Sequence, residues 1–288
     1  MTRRARLAGR SGAAGAGRIA VRQPAAGWCA GLAGMEFSRY LDCLAAEFAR
    51  LRAAVPADLA AAVPTCPGWT VADLTRHVGR MYLHQSLCIR DRAEPEPWPP
   101  PGLAAEEPVT LLDRGYAALA AQFAAHGPAD PAGCWFTPGQ TVGFWARRMA
   151  QETVIHRIDA ELSTGRVVGQ VPADLATDGI DELLRVFLAW SFAQWPEDFT
   201  PILASSPGWT CAVQAGDTTW RVRTGPGTLE VADGPGGTAA DLTVSGPPSA
   251  VLRWAWNREA AAELSGVTVT GPPGALAELQ RCIVAGVQ

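Results

Sequence analysis

Along residues 36–51 the large apolar side chains fall at Phe37, Tyr40, Leu41, Leu44 and Phe48, the three-and-four spacing of one helix face. "VPTCPGWTVAD" (63–73) reads as a loop running into a helix start. Thr70 is a good N-cap, and Asp73, three residues on, completes a capping-box pattern. The helix continues through "LTRHVGRMYLHQSLCIR", a Pro-rich loop covers residues 94–102, and a third helix is predicted at about 108–126. A Gly/Pro stretch then leads into a fourth helix, which holds "RRMAQETVIHRIDAE" (147–161) and stops near Gly165. Four amphipathic helices in roughly 130 residues predict a helix bundle.

After Pro172 a further helix, "ADLATDGIDELLRVFLAW", leads into a different pattern. Short β-rich runs, "WTCAVQ", "TTWRVR", "TLEVA" and "DLTVS", alternate with Gly, Asp and Pro over residues 209–245. Helical pieces around 248–264 and 274–285 flank one more short strand, "VTVT". The fold class expected is therefore α plus α+β, with a bundle over residues 35–168 and a smaller α+β domain over 169–288. "PGWT" occurs at 67–70 and again at 207–210, opening a helix the first time and a strand the second; this reads as coincidence rather than repeat.

Composition narrows the class. No apolar run approaches the ~20 residues of a membrane span. All 24 cationic side chains are Arg. The first 34 residues hold six of them and no acid, so the remainder carries 18 Arg against 28 acids, a net charge of −10. An acidic body argues against nucleic acid as the main partner, and nothing points to a membrane. The early Arg pair has no adequate apolar stretch behind it to act as an export signal. Seven scattered Cys without a CxxC form a poor disulfide framework and suit reduced thiols in a cytoplasm.

The fourth helix carries the chemical signal. Glu152 and His156 lie one turn apart on the stripe of Trp145 and Met149, which Asp159 extends. A carboxylate and an imidazole facing a core need a partner or a metal to offset desolvation. A third ligand would come from a facing helix. His126 sits beside Gly127–Pro128 at a helix end, which leaves His77 or His84. These are two turns apart, ~10.5 Å along the axis, so they can hardly share one ion. Two imidazoles and a carboxylate suit Zn²⁺ or another divalent first-row metal with open positions. Spacing does not choose between the two histidines, and an isolated ExxxH is more often an ion pair or a hydrogen-bonded core His. Arg147, Arg148 and Arg157 have the charge to bind an anionic substrate, but Arg on a bundle helix is ordinarily solvated, and that is the expectation here. Cys66 precedes the cap and is expected a few turns from His77, in a structural role.

"VPTCPGWTVADLTRHVGRM" followed by "ARRMAQETVIHRIDAE" resembles the maleylpyruvate isomerase family of mycothiol-dependent enzymes, within the DinB-like group of metal-binding four-helix bundles. "DGIDELL" (178–184) and the module ending "VLRWAWNRE…VTVTGPPGAL" extend the resemblance over most of the chain from Met35. It implies a DinB-like bundle followed by a sterol-carrier-like α+β domain. It also implies a divalent metal, zinc in the isomerase itself, held by the residues matching the family pattern: His77, Glu152 and His156. Arg258, after the "WAWN" helix, lies in the C-terminal region from which the family draws an active-site Arg, and takes that role by resemblance.

The activity so implied is a metal- and mycothiol-dependent isomerase or thiol transferase. The mycothiol thiolate adds to a cis-enedioate conjugated with a ketone, the new single bond rotates, and expulsion of the thiol leaves the trans product. Its partners would be a small-molecule substrate and the low-molecular-weight thiol, in a cytoplasmic monomer or small homo-oligomer. Two rivals stand beside it. The same bundle could activate water, as a metal-dependent hydrolase. Alternatively the β-rich part would hold an apolar ligand or lipid in a non-catalytic module with a structural metal; an open coordination position argues against the latter.

Residues 1–34 read as a disordered basic leader or a mis-assigned start, with too few apolar side chains to offset the entropy of ordering. Deleting them is expected to leave the melting temperature and metal content unchanged; a clear fall in either, measured on the shortened chain, would make the leader part of the fold.

Overall fold

The computed structural model describes residues 34–56, 58–234, 239–259 and 266–287; apart from Gly34 the basic leader lies outside them. They fall into two compact units, one of residues 34–180 with 246–267, the other of 181–245 with 268–287. Among the described residues no helix is long and apolar enough to cross a membrane.

The first unit is the bundle: α1 (Phe37–Ala54), α2 (Val71–Asp91), α3 (Pro108–Ala125) and α4 (Val142–Ser163), joined by α5 (Ala173–Glu182) and α6 (Pro248–Ala255). The boundary between the units falls inside α5, after Ile180. Helix α1 packs on α4, and α2 packs on both α3 and α4. Phe48 of α1 stacks on Tyr116 of α3 at 3.6 Å between ring centroids and meets Tyr82 of α2 edge-on at 6.1 Å. The α2–α3 crossing is close because Gly79 and Gly115 meet there. A Cβ on Gly79 would lie 2.8 Å from backbone atoms of Leu111 and Leu112, and one on Gly115 would strike the Gly79 carbonyl. Tyr82 and Thr153 share a buried 2.6 Å hydrogen bond between their hydroxyls, which sets the register of α2 against α4.

Helix α2 starts as its sequence requires. The Thr70 side chain accepts from the Asp73 amide at 3.2 Å, and Asp73 accepts from the Thr70 amide at 3.0 Å. Just before it, the Trp69 amide donates to the Cys66 carbonyl at 2.9 Å with Gly68 at φ +83°, the Pro67–Gly68 signature of a type II turn.

Helix α4 departs from the expected one-sided stripe. Apolar Trp145, Met149, Val154 and Ile158 are fully buried, yet so is Arg157, and Arg147 and Arg148 are nearly so. The expectation of solvated arginines is thus corrected. With α1, α2 and the α5 region around it, α4 has no broad solvent face, and its cations are buried against carboxylates. Arg147 donates from Nε to Asp178 at 3.1 Å, and Arg157 donates to Glu47 and Glu161, both at 2.7 Å. Arg148 pairs with Glu152 one turn on.

Helix α6 is shorter than the predicted 248–264. Asn257 adopts the left-handed conformation at φ +54°, and the Arg258 amide donates back to the Arg253 carbonyl at 2.8 Å, a Schellman-type stop. Residues 260–264 of that prediction lie outside the described residues.

The second unit is the smaller α+β part. Strands β1 (Trp209–Ala215), β2 (Thr218–Gly225), β3 (Thr228–Asp233), β4 (Leu242–Gly246) and β5 (Thr268–Thr270) form one sheet in the order β3-β2-β1-β4-β5. The β1–β2, β2–β3 and β4–β5 pairs are antiparallel. Alternate residues Cys211, Val213 and Ala215 on β1 with Trp220 and Val222 on β2 turn inward. Helix α7 (Pro273–Val287) packs on β1 and on a π-helical stretch, Leu183–Ala189. Its one buried acid, Glu278, is satisfied by the hydroxyls of Ser206 at 2.8 Å and Thr224 at 2.5 Å.

Candidate metal centre

Helices α2 and α4, held in register by the Tyr82–Thr153 bond, bring three candidate residues together. His77, Glu152 and His156 each offer a ligand atom within 4.8 Å of the others. His77 Nε2 lies 3.0 Å and His156 Nε2 3.4 Å from Glu152 Oε1, so one carboxylate oxygen faces both imidazoles. The other oxygen is taken by Arg148. The Trp69 ring, delivered by the type II turn, lies 5.0 Å from His77 and 6.4 Å from His156, forming one wall.

His156 is oriented from behind. Its Nδ1 lies 2.9 Å from Asp159 Oδ2, which leaves Nε2 aimed at Glu152. Asp159 is fully buried. It also accepts from the Thr65 hydroxyl at 2.6 Å, and it faces Arg258 with Nη2 2.9 Å from Oδ2 and Nε 2.7 Å from Oδ1. Cys66 Sγ donates to the same Oδ2 at 3.6 Å.

The electrostatics follow from this pairing. Burial works against ionisation of Glu152, but the Arg148 charge, aided by hydrogen bonds from His156 and His77, holds its carboxyl well below the usual range. Burial likewise opposes a charged His156, yet its contacts to Asp159 and Glu152 raise its pKa to about 9. Asp159 is lowered to about 2 against its own burial, by His156 first and then Arg258. Burial and the Asp159 charge push the Cys66 thiol up to about 12, which keeps it protonated and unsuited to act as a nucleophile.

The donor set fits a divalent metal. Two imidazole Nε2 atoms and one carboxylate oxygen converge, with a carboxylate behind one imidazole to fix its tautomer. An ion would displace the proton that His156 shares with Glu152 in this arrangement.

The remaining candidates lie elsewhere or play other parts. His84 Nδ1 sits 3.0 Å from Gln85 Oε1 and 3.5 Å from Cys88 Sγ, its ring against Trp98, outside the cluster. His126 follows the last turn of α3, with Nδ1 2.9 Å from the Gln122 carbonyl. Arg258 reaches the rear of the centre through Asp159 rather than the ligand atoms themselves. Cys66, expected remote from the centre, shares Asp159 with His156. Sequence reading put Asp159 on the stripe of Glu152 and His156 and weighed Arg148 as an anion binder, but gave neither a part in holding the two ligands. The signal was present: both lie within four positions of Glu152 or His156 on one helix, at spacings that put them on adjoining turns.

Residues 41–161 match the family model described as the mycothiol maleylpyruvate isomerase N-terminal domain, and residues 174–278 match that of the C-terminal domain of the same family. Two solved structures are similar. One is a histidine-to-alanine mutant of the mycothiol-dependent maleylpyruvate isomerase, 15% identical, covering 82% of this chain and 93% of that chain with a TM-score of 0.50. The other is the mycothiol-dependent maleylpyruvate isomerase, 16% identical with the same coverage and a TM-score of 0.49. At such identity the first likeness speaks for the fold alone. No curated protein matches the chain.

His77→Ala and His156→Ala are each expected to abolish retention of zinc after loading and desalting, whereas His84→Ala and His126→Ala retain it. Loss on His84→Ala with retention on His77→Ala, read by elemental analysis, would move the centre away from this cluster.

Proposed function

We infer that this chain, which belongs to the mycothiol maleylpyruvate isomerase family, is a metal- and mycothiol-dependent isomerase or thiol transferase. The observation that carries the reading is the convergence of His77, Glu152 and His156, with His77 the most open of the three. Its side chain is 31% exposed against 12% and 11% for Glu152 and His156. A centre closed on the α4 side and open beside His77 suits a site that admits exogenous ligands. A divalent ion held there supplies the positive charge that favours the thiolate form of a thiol at neutral pH.

The chain's own residues take the following parts. His77 and His156 present Nε2, and Glu152 presents Oε1. Arg148 holds the second Glu152 oxygen and offsets its charge. With one oxygen on Arg148 and the other facing two imidazoles, Glu152 is engaged as a ligand would be rather than free as a general base, which favours thiol activation over the hydrolase rival. The wall at Trp69 shields one side of the two imidazoles from water.

A substrate bearing carboxylates also needs a cation. Arg147, Arg148, Arg157 and Arg258 are already neutralised by Asp178, Glu152, Glu47 with Glu161, and Asp159. On α2 the more open stripe runs through Asp73, Arg76, His77, Arg80 and His84. Arg76 has the nearby Asp73 charge for company. Arg80, one turn beyond His77 on the same helix and half-buried, has no ion pair among the described residues. It is the residue assigned to the substrate carboxylate.

Glu152→Gln keeps the shape and removes the charge, so zinc affinity is expected to fall about 10–100-fold or more, since changes behind the ligands already reach that range. Excess Zn²⁺ should then restore part of the mycothiol binding in a titration. Full occupancy without recovered thiol binding or turnover would replace thiol activation with a role for Glu152 as a base.

Arg80→Gln should raise KM for maleylpyruvate about 10–100-fold, the worth of one charge-assisted hydrogen bond, while zinc content stays at its parental value. Unchanged KM in steady-state assays would remove Arg80 from substrate binding.

A further inference from the structure

The buried network behind His156 is larger than the holding of one imidazole requires. Asp159 has no exposed surface, yet it gathers donors from three separate stretches of chain. These are His156 on its own helix, Thr65 and Cys66 before the type II turn, and Arg258 after α6. Arg258 faces both carboxylate oxygens, and its third nitrogen, Nη1, donates to the Trp256 carbonyl at 2.9 Å. Its guanidinium therefore has little left to offer a substrate. The Schellman stop at Asn257 is what turns the chain so that Arg258 leaves the axis of α6 and meets Asp159.

Charge explains why the cation is there. A neutral imidazole that gives its Nε2 lone pair to a metal still needs its Nδ1–H aimed at an acceptor, and a carboxylate is the strongest such acceptor. A carboxylate buried with only a neutral imidazole and a hydroxyl would be badly under-compensated. Arg258, permanently charged, sets an opposite charge against both oxygens of Asp159, Nη2 at 2.9 Å and Nε at 2.7 Å. Thr65 satisfies a remaining lone pair and ties the same carboxylate to the loop that carries Trp69.

We propose that Asp159 and Arg258 are positioning residues for the metal centre. Asp159 fixes the Nε2-presenting tautomer and the ring plane of His156, and Arg258 acts through Asp159 by neutralising and clamping it. The turn after α6 thereby completes the centre without supplying a ligand. This rests on the reading of His77, Glu152 and His156 as metal ligands, but not on the identity of the thiol or the substrate.

The test is metal affinity and geometry in the full chain, measured without turnover. Zinc affinity is read by competition with a chromophoric chelator, coordination by the visible spectrum of the Co²⁺-substituted protein, and folding by the melting temperature of the metal-free form. Asp159→Asn should weaken zinc about 10–100-fold and alter the Co²⁺ bands. Arg258→Gln, which touches no ligand atom, should weaken it in the same direction, and Arg258→Lys should recover part of the loss. The double variant Asp159→Asn/Arg258→Gln should bind zinc no worse than Asp159→Asn alone, because the two act in series. Parental affinity and an unchanged Co²⁺ spectrum in Arg258→Gln would overturn the clamp. So would losses that simply multiply in the double variant. If Arg258→Gln does not fold, the Lys variant carries the test, and parental affinity and Co²⁺ bands in Asp159→Asn overturn the proposal without it. A parent protein that binds zinc but no thiol defeats the functional reading and leaves this test intact, whereas a parent that binds no divalent ion overturns both.

Discussion

Charge compensation along α4 is the constraint on which the bundle depends. A helix enclosed by α1, α2 and the α5 region would ordinarily be apolar all round. This one carries Arg147, Arg148, Glu152, His156, Arg157, Asp159 and Glu161 within fifteen positions. Each buried charge has a stated opposite: Asp178 for Arg147, Glu152 for Arg148, Glu47 and Glu161 for Arg157, Arg258 for Asp159. Taking away one member of such a pair leaves an uncompensated buried charge, typically a loss of about 3–5 kcal/mol. The pairs also join distant stretches, so the positions of α1, α5 and the turn after α6 are all referred to α4. At the candidate centre the same device holds two carboxylates, Glu152 by Arg148 and Asp159 by Arg258, on either side of His156.

Seen this way, structure and chemistry use the same device. Arg157 fixes α4 to α1 through Glu47, and Arg148 fixes Glu152 for its part in the centre, by the same physics of a guanidinium against a carboxylate. What separates them is solvent access. The Glu47–Arg157 pair is sealed, while Glu152 looks past His77 toward the more open stripe of α2, where Arg80 stands.

Much of this was legible in the sequence for identifiable reasons. The Thr70–Asp73 capping box is local, and local hydrogen-bond logic places the start of α2 without reference to the rest of the chain. The sheet strands were equally readable from alternating apolar residues between Gly and Asp turns. The pairing of Glu152 with His156 follows from helix geometry alone, but the choice of His77 over His84 came from resemblance, because both share one stripe and only tertiary packing separates them. The arginines of α4 were misread because a helical wheel cannot show that polar positions are also enclosed; Asp178 is thirty-one residues from Arg147, and Glu47 is farther still from Arg157. The distant partners of Asp159 were hidden for the same reason, since Thr65 and Arg258 reach it from opposite sides of the sequence. The early end of α6 turns on one left-handed asparagine, a conformation that composition permits but does not demand.

The glycine pair at the α2–α3 crossing has a consequence for the centre itself. His77 is anchored two residues before Gly79, so the depth at which it sits depends on how closely two backbones approach on the far side of its helix. Two missing side chains thus act as a spacer of zero thickness. Any residue larger than glycine at either position would wedge α2 away from α3 and carry the imidazole toward or past its partners on α4. The spacing of the three candidate ligands is gauged by matter that is absent, on the side of α2 that faces α3.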